Sequence, residues 1–273
     1  MVTTTNEQMV EMHRALNAPN AHRNEKVWTY LIADILCNSK LRNKHIACFC
    51  DKDTQLDDSY RVWFEAQPLV PRKGQRGKTE GNTRLDLAFG SIKRRGCTKA
   101  GIEFDPNSYS SWVCFVESKY FADQSISVTH DPDRNQIIRI IENLLCFQGK
   151  SQFPKRLFFV LLTPRVFKQS QSEFISKSYS ETFWKYENNQ RVLSDIEQSP
   201  FPIRSPQSNW KYPESLVDRV QCLSRKWITF EEIFEREYDI TEIDISSPKI
   251  HPILKEKLNM LADDLQQQIL SSR

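Results

Sequence analysis

A carboxylate and an ammonium lie two residues apart at the end of the most strand-like segment of the sequence, WVCFVESK from Trp112 to Lys119. The residues before Glu117 are apolar, aromatic or β-branched and include neither Gly nor Pro, which is typical of a strand buried on both faces. Side chains at i and i+2 leave a strand on the same face, so Glu117 and Lys119 should point into one space at the edge of the core. An acid and a base placed in this way indicate catalysis.

Two further acids are expected near this pair. Asp86 lies in the strand-like segment Leu85–Phe89, and Glu65 lies in another, Arg61–Gln67. Carboxylates on neighbouring strands can share a hard divalent cation such as Mg²⁺ or Mn²⁺, because these ions prefer oxygen ligands. Lys119 beside such an ion can orient or deprotonate a water molecule, or neutralise charge on a phosphate. These groups are the ones that phosphodiester hydrolysis needs.

A structural interpretation of the same residues is the alternative. Glu117 and Lys119 would then form a buried ion pair, and Asp86 would be a hydrogen-bonded turn residue. The sequence contains a single acid-x-Lys triplet, and that triplet ends the most convincing central strand. This placement favours the catalytic interpretation.

The segment between Pro71 and Lys99 is strongly basic, with nine Lys and Arg against two acids in a chain whose net charge is +3. Its first part joins the strands that carry Glu65 and Asp86, so its cations should lie near the acids and hold phosphates; a solvated charged loop is the alternative. The helix after the central strand could present Gln136 and Arg139 to the same cleft, with a structural polar face as the equal alternative. The residues expected to contact nucleic acid are Arg72, Lys73, Arg76, Lys78, Arg84, Gln136 and Arg139.

The remaining pattern predicts an α/β fold with a mixed central β-sheet flanked by helices. A helix is predicted over Asn24–Cys37, with Glu25 on the inward edge of its apolar stripe or acting only on the helix dipole. A short strand is predicted over His45–Phe49, a buried strand over Arg156–Leu162, and a helix from Asp131 and Pro132 to Phe147. The order helix, strand, strand, strand, helix, strand is typical of such a sheet.

The two ends of the chain differ from this core of residues 21–165. Residues 1–20 read as a polar arm or a short helix, and residues 166–273 as a loop-rich, mainly helical elaboration that packs on the core. Helices are predicted over Glu214–Arg225, Phe230–Tyr238 and His251–Leu270. The last of these has an apolar stripe that we expect to pack on the chain's own core, with a dimer seam as the alternative.

Composition narrows the function classes. The seven cysteines are odd in number and scattered, which indicates free thiols rather than a disulfide framework. The N-terminal residues lack an apolar signal core, and the longest strongly apolar run, Leu157–Leu162, is far too short to cross a bilayer. We therefore expect a soluble, cytoplasmic protein without membrane contact. The sequence has no Gly-rich phosphate loop, histidine ligand spacing or nucleophile elbow.

These motifs and their order resemble the PD-(D/E)xK nuclease superfamily, the restriction-endonuclease-like fold, over roughly residues 24–164. Asp86 matches the family aspartate, Glu117 and Lys119 match the (D/E)xK pair, and Glu25 matches an acidic position on the first helix that many members use as a further ligand. Leu85 stands where the family name has Pro, at a position that varies widely.

Two subfamilies fit less well. Gln136 lies where one group of exonucleases has a Gln-x-x-x-Tyr motif, but residue 140 is Ile. The cysteine cluster of the iron–sulphur members is also missing from the sequence.

The resemblance implies a Mg²⁺- or Mn²⁺-dependent nuclease that hydrolyses phosphodiester bonds, with DNA the expected substrate and an endonuclease of restriction or host defence the expected setting. The implied metal ligands are Asp86, Glu117 and Glu25, and the implied catalytic residues are Asp86, Glu117, Lys119 and Glu65. The alternatives are a non-catalytic nucleic-acid-binding module of a larger assembly and an RNase on the same fold. Cutting both strands of DNA would favour a homodimer.

Overall fold

The computed structural model of the protein describes residues 2–56, 60–72, 83–120, 135–169, 178–207 and 209–272. The helices are α1 (Asn6–Leu16), α2 (Glu25–Asn38), α3 (Arg42–Phe49), α4 (Gln136–Leu145), α5 (Arg165–Gln169), α6 (Ser178–Lys185), α7 (Asn189–Glu197), α8 (Leu216–Gln221), α9 (Phe230–Tyr238) and α10 (Pro252–Ser271). The strands are β1 (Arg61–Ala66), β2 (Leu85–Gly90), β3 (Ile92–Arg94), β4 (Ile102–Phe104), β5 (Trp112–Ser118), β6 (Arg156–Thr163) and β7 (Leu223–Thr229).

Five strands form one mixed sheet in the order β1-β2-β5-β6-β7. β1, β2 and β5 are antiparallel neighbours, whereas β5, β6 and β7 run parallel. Parallel neighbours need crossover connections, and helices lie in both crossovers: α4 between β5 and β6, and α5 to α8 between β6 and β7. The predicted α/β fold with a mixed sheet flanked by helices is confirmed.

β5 is buried on both faces, as its composition predicts. Cys114 and Val116 belong to one apolar cluster with side chains of α2, α9 and α10. Val113 and Phe115 belong to a second cluster with side chains of α4, α6 and α7. Successive strand residues point to opposite faces, so a strand between two helical layers must be apolar along its whole length.

Two sequence-based predictions of secondary structure are wrong. Residues His45–Phe49 form the end of α3, where Ile46 and Phe49 lie one turn apart and bury the same helix face. The helix predicted over Glu214–Arg225 stops at α8, and the residues from Leu223 onward form β7 instead. Pairing with β6 decides this second case, because a short amphipathic segment can satisfy its backbone either way and the sheet edge supplies the partner groups.

The ends of the chain are bound to the core. The predicted N-terminal arm is a helix, α1, which begins with a capping box between Thr5 and Gln8, and Met12 on α1 is buried. Thr3 precedes α1 and donates its N–H to the Val62 carbonyl of β1. The described part of the predicted helix after β5 is α4, capped by the Asn135 side chain, and its expected start lies outside the described residues.

α10 runs over nearly the range that the sequence predicts. Leu254, Leu258, Leu261 and Leu265 share the cluster that contains α2 and α9. The stripe therefore packs on the chain's own core. No helix in the described ranges is long and apolar enough to cross a membrane.

Candidate active site

The register of the sheet aligns three of its strands at the predicted site. Glu117 of β5 pairs with Leu161 of β6. On the other side, β5 pairs Val116 with Leu87 of β2, and continuing this antiparallel register places Asp86 opposite Glu117. Asp86 and Glu117 are therefore cross-strand neighbours on one face of the sheet, as the sequence predicts for a shared site.

Lys119 lies between two carboxylates. Its Nζ is 2.6 Å from Glu117 Oε1 and 3.7 Å from Glu25 Oε1. The Glu117 side chain is almost fully buried and the Lys119 side chain is 12% exposed. Burial by itself lowers the pKa of Lys119, but Glu117, Asp86 and Glu25 together outweigh it and raise that pKa above its usual value. Lys119 therefore keeps its positive charge and is held in place by the two carboxylates.

Glu25 reaches this pair from α2. The side chain of Asn24 caps the helix by accepting a hydrogen bond from Lys26 N–H, which places Glu25 in the first turn. Glu25 Oε2 accepts the backbone N–H of Tyr120 at 2.8 Å. Glu25 is thus tied to the chain just past Lys119, and the structure brings it into the site.

Asp86 is held by the backbone of the same segment. Its Oδ2 accepts the N–H of Ser118 at 2.7 Å. Burial raises the pKa of Asp86 well above its usual value, and the Glu117 carboxylate raises it further, while Lys119 opposes both. Burial also raises the pKa of Glu117, against the opposing charge of Lys119. Two adjacent carboxylates, one buried and one partly exposed, share a single ammonium and therefore lack positive charge.

This lack of positive charge is the feature that fits a divalent cation. No described donor makes a hydrogen bond to Glu117 Oε2, although that atom is buried. Asp86 and Glu117 offer carboxylate oxygens, the donor type that Mg²⁺ and Mn²⁺ prefer. However, within the described ranges no three His, Cys, Asp or Glu side chains already converge as metal ligands, and Lys119 lies between Glu117 and Glu25.

Glu65 has a different environment from the one that the sequence predicts. The register of β1 with β2 places it opposite Asp86, between the pairs Phe64–Leu87 and Ala66–Leu85. Its φ is +50°, a left-handed value that is strained for a residue other than glycine. Its carboxylate lies 2.8 Å from Lys26 Nζ and 3.6 Å from Arg84 Nη1. Glu65 is therefore part of an adjacent ion-pair cluster.

Arg72 is the clearest correction among the predicted phosphate-binding residues. Its side chain is 6% exposed, and its Nε lies 2.7 Å from Oε1 of the fully buried Glu142. Its two Nη atoms donate to the carbonyls of Phe201 and Ile196 at 2.9 and 2.7 Å. All of these contacts are internal, so Arg72 joins the start of the basic segment to α4 and the C-terminal elaboration.

The other predicted nucleic-acid contacts divide into three groups. Arg84 is 54% exposed and lies two residues before Asp86, so it remains available to a phosphate. Gln136 is partly exposed at the first position of α4, whereas Arg139, one turn later, is buried. Lys73, Arg76 and Lys78 lie outside the described residues.

Sequence reasoning missed the residues that lock α2 against the end of β5. Thr29 Oγ1 lies 2.7 Å from Ser118 Oγ and 2.9 Å from the Glu25 carbonyl oxygen, so these groups form a hydrogen-bonded chain. Ser118 lies between Glu117 and Lys119 and therefore points to the opposite face, which is the face that α2 covers. That alternation, and the position of Thr29 one turn after Glu25, were the available signals.

Comparisons of the chain with protein-family models, with curated proteins and with solved structures found no match. The geometry of the site therefore carries the functional argument. That geometry is a pair of cross-strand carboxylates, an ammonium bound to one of them, and a third carboxylate that anchors the ammonium.

Proposed function

We propose that this protein is a divalent-metal-dependent nuclease of the PD-(D/E)xK type, with a restriction-endonuclease-like core and DNA as the first substrate to test. One observation carries the proposal: Asp86 and Glu117 lie opposite each other at the end of two sheet strands, with Lys119 bound to Glu117. Glu25 from the preceding helix lies 3.7 Å from Lys119. These are the four positions at which the sequence resembles that superfamily.

Asp86 and Glu117 would hold the cation through their carboxylate oxygens. A bound Mg²⁺ or Mn²⁺ supplies positive charge for the phosphate oxygens and acidifies a water molecule. The backbone N–H of Ser118 keeps Asp86 oriented through its bond to Oδ2, which leaves the second oxygen of this carboxylate for the cation. Because Glu117 is buried and Asp86 is only partly exposed, each interaction is stronger than it would be in bulk water.

Lys119 stabilises the charge that develops during hydrolysis. The oxygen of a water molecule forms the new bond to phosphorus, its proton passes to solvent, the bond to the leaving oxygen breaks, and that oxygen is protonated. The ammonium of Lys119 can donate a hydrogen bond to the attacking water or to a phosphate oxygen while Glu117 and Glu25 hold it in place. Positioning of this kind is the main contribution of a protein to phosphoryl transfer.

Arg84 gives the substrate backbone a first contact. Its side chain is exposed and lies 3.6 Å from the carboxylate of the buried Glu65, a long contact to a group that Lys26 already binds at 2.8 Å. A phosphate bound by Arg84 in place of Glu65 would lie near Asp86, which follows Arg84 by two residues. Arg84 therefore positions the strand, while the sequence of bases is not read by such a contact.

The test is cleavage of plasmid DNA, single-stranded DNA and RNA in Mg²⁺, Mn²⁺ or EDTA. Asp86→Asn and Lys119→Met should each lower the rate at least about 100-fold while the protein stays folded by circular dichroism. Lys93→Met is the matched control, because Lys93 pairs with Glu103 in the β3–β4 hairpin away from the site and should leave the rate unchanged.

Cleavage that persists in both Asp86→Asn and Lys119→Met would refute the proposal. RNA cleavage without DNA cleavage would keep the site and change the substrate to RNA.

A second candidate function is nucleic-acid binding without cleavage, as part of a larger assembly. The position of Lys119 favours this candidate. Its ammonium lies between Glu117 and Glu25, in the place where a metal ion would contact Glu25 as a further ligand. This candidate predicts salt-sensitive binding of nucleic acid in Mg²⁺ with no product on any substrate.

A further inference from the structure

Trp184 differs from the other tryptophans of the chain. Of the six tryptophans, all within the described residues, Trp184 is 52% exposed and the other five are at most 6% exposed. Its ring lies against Phe183 and Trp227, with centroid distances of 5.3 and 6.1 Å. These contacts orient an aromatic ring whose surface is half in solvent, which is the arrangement of a binding platform.

The ring beneath Trp184 belongs to the same row of the sheet as the candidate active site. Leu161 of β6 pairs with Glu117 on one side and with Trp227 of β7 on the other. Glu117 and Trp227 are therefore two strand spacings apart, about 10 Å, on one face. Trp227 Nε1 donates to Thr163 Oγ1 at 2.8 Å, at the carboxyl end of β6 where the site also lies.

A cation with buried, unsatisfied hydrogen-bond donors in the described part of the chain lies in the same strand as Trp227. Arg225 precedes Trp227 by two residues in β7 and leaves the strand on the same face. Its Nε and Nη2 are buried and have no hydrogen-bond acceptor within the described ranges. Burial lowers the pKa of Arg225 to about 10, against the opposing charge of Glu187. A half-buried guanidinium with donors that lack acceptors is a good partner for an anion, because the anion can accept those hydrogen bonds.

We propose that Trp184, supported by Trp227 and flanked by Arg225, is a stacking platform for an unpaired base of the substrate strand, with Arg225 holding the adjoining phosphate. The identity of the ligand as nucleic acid rests on the proposed nuclease function. Every base has a π face, so the platform accepts any base. A base inside a duplex is already stacked on both sides, so the platform selects single-stranded or locally unpaired nucleic acid beside the cleavage site.

The unsatisfied donors of Arg225 favour a nucleotide over an apolar protein partner as the ligand. A protein interface built on Trp184 would bury Arg225 further and would need a carboxylate to compensate it. A nucleotide supplies both an aromatic face and a negative charge. The sheet register places Trp227 and Arg225 within reach of a strand bound at Glu117.

The test measures binding in EDTA, so that it does not depend on cleavage. Fluorescence anisotropy with a labelled single strand of about 12 nucleotides, as DNA and as RNA, is compared with a duplex of the same length. Trp184→Leu keeps an apolar contact with Trp227 and removes the ring, Trp184→Phe restores a ring, and Tyr109→Leu is the control. Tyr109 is 71% exposed and precedes β5, at the end of the strand opposite Glu117.

Trp184→Leu should weaken single-strand binding about tenfold and duplex binding less, Trp184→Phe should recover most of the affinity, and Tyr109→Leu should change nothing. Arg225→Gln should reduce the slope of log affinity against log salt by about one unit. Unchanged single-strand affinity in Trp184→Leu would overturn the inference. If that variant instead loses self-association in sedimentation velocity, the patch is an interface between copies, and the inference is also overturned.

The two proposals fail in different ways. Loss of binding in Trp184→Leu, together with cleavage that survives Asp86→Asn, would keep the platform and remove the assigned catalytic site. Normal binding in Trp184→Leu, together with cleavage abolished by Asp86→Asn, would keep the nuclease and remove the platform.

Discussion

The ion pair of Arg72 with Glu142 gives the sharpest test of how the basic loop is attached. Arg72→Met removes the guanidinium and keeps most of the apolar stem. Glu142, which is fully buried, then loses the guanidinium at 2.7 Å and keeps its other contacts, among them the Tyr212 hydroxyl at 3.4 Å. Breaking one side of a buried pair costs about 3–5 kcal/mol. For a chain of this size that is a fall in Tm of about 5–10 °C.

Thermal and urea unfolding followed by circular dichroism measure this effect. Glu142→Gln should cost less than Arg72→Met, because the amide still accepts a hydrogen bond from the guanidinium. The double variant should be about 1–3 kcal/mol more stable than the sum of the single losses predicts, which is the coupling of the pair. Arg84→Met is the matched exposed control and should change the free energy of unfolding by less than about 1 kcal/mol.

The same variants separate the structural role of Arg72 from phosphate binding. At a temperature where Arg72→Met is folded, its affinity for nucleic acid should equal that of the unmodified protein, because the guanidinium is enclosed by internal carbonyls. An Arg72→Met protein that is as stable as Arg84→Met and binds nucleic acid more weakly would refute this reasoning. It would restore Arg72 to the phosphate-binding surface.

Three further predictions concern stability. Leu258→Ala on the buried face of α10 should cost about 2–5 kcal/mol in urea unfolding, while Met260→Ala, 49% exposed on the same helix, should stay within about 0.5 kcal/mol; equal losses would contradict the packing described. Asp239, which ends α9 at φ +51°, should gain about 0.5–1 kcal/mol as Asp239→Gly, and a loss would show that its side chain is needed. Burial lowers the pKa of His45 although Glu237, at 2.7 Å, opposes it, so the fold favours the neutral ring. The stability contributed by His45 is full above pH about 6.5 and is lost as the pH falls through the lowered pKa, so His45→Gln should flatten the pH dependence of the urea midpoint between about pH 7 and 5, and an unchanged profile would contradict it.

The central strand and its polar end were predictable because they depend on short-range pattern. An apolar run that ends in Glu117-Ser118-Lys119 requires a buried strand and places both charges on one face, whatever the rest of the chain does. The helix that carries Glu25 was predictable for the same reason, since its apolar stripe and its first-turn acid are local.

β7 and Arg72 were not predictable in this way. The residues from Leu223 to Thr229 are a strand because β6 offers them a parallel edge, and that edge lies some 60 residues earlier in the chain. Arg72 lies in a basic run and looks exposed, yet Glu142 and two backbone carbonyls from residues 196 and 201 enclose it. In both cases the deciding partner is distant in sequence.

The α/β class, the central strand, and the shared face of Glu117 and Lys119 follow from the amino-acid sequence, because apolar periodicity and strand alternation act between near neighbours. The tertiary structure, in contrast, sets which charges share an environment. It paired Glu65 with Lys26, buried Arg72, and left Trp184 half exposed beside Trp227. Burial and ion pairing depend on contacts between strands and helices far apart in the chain, and these contacts exist only once the sheet has formed.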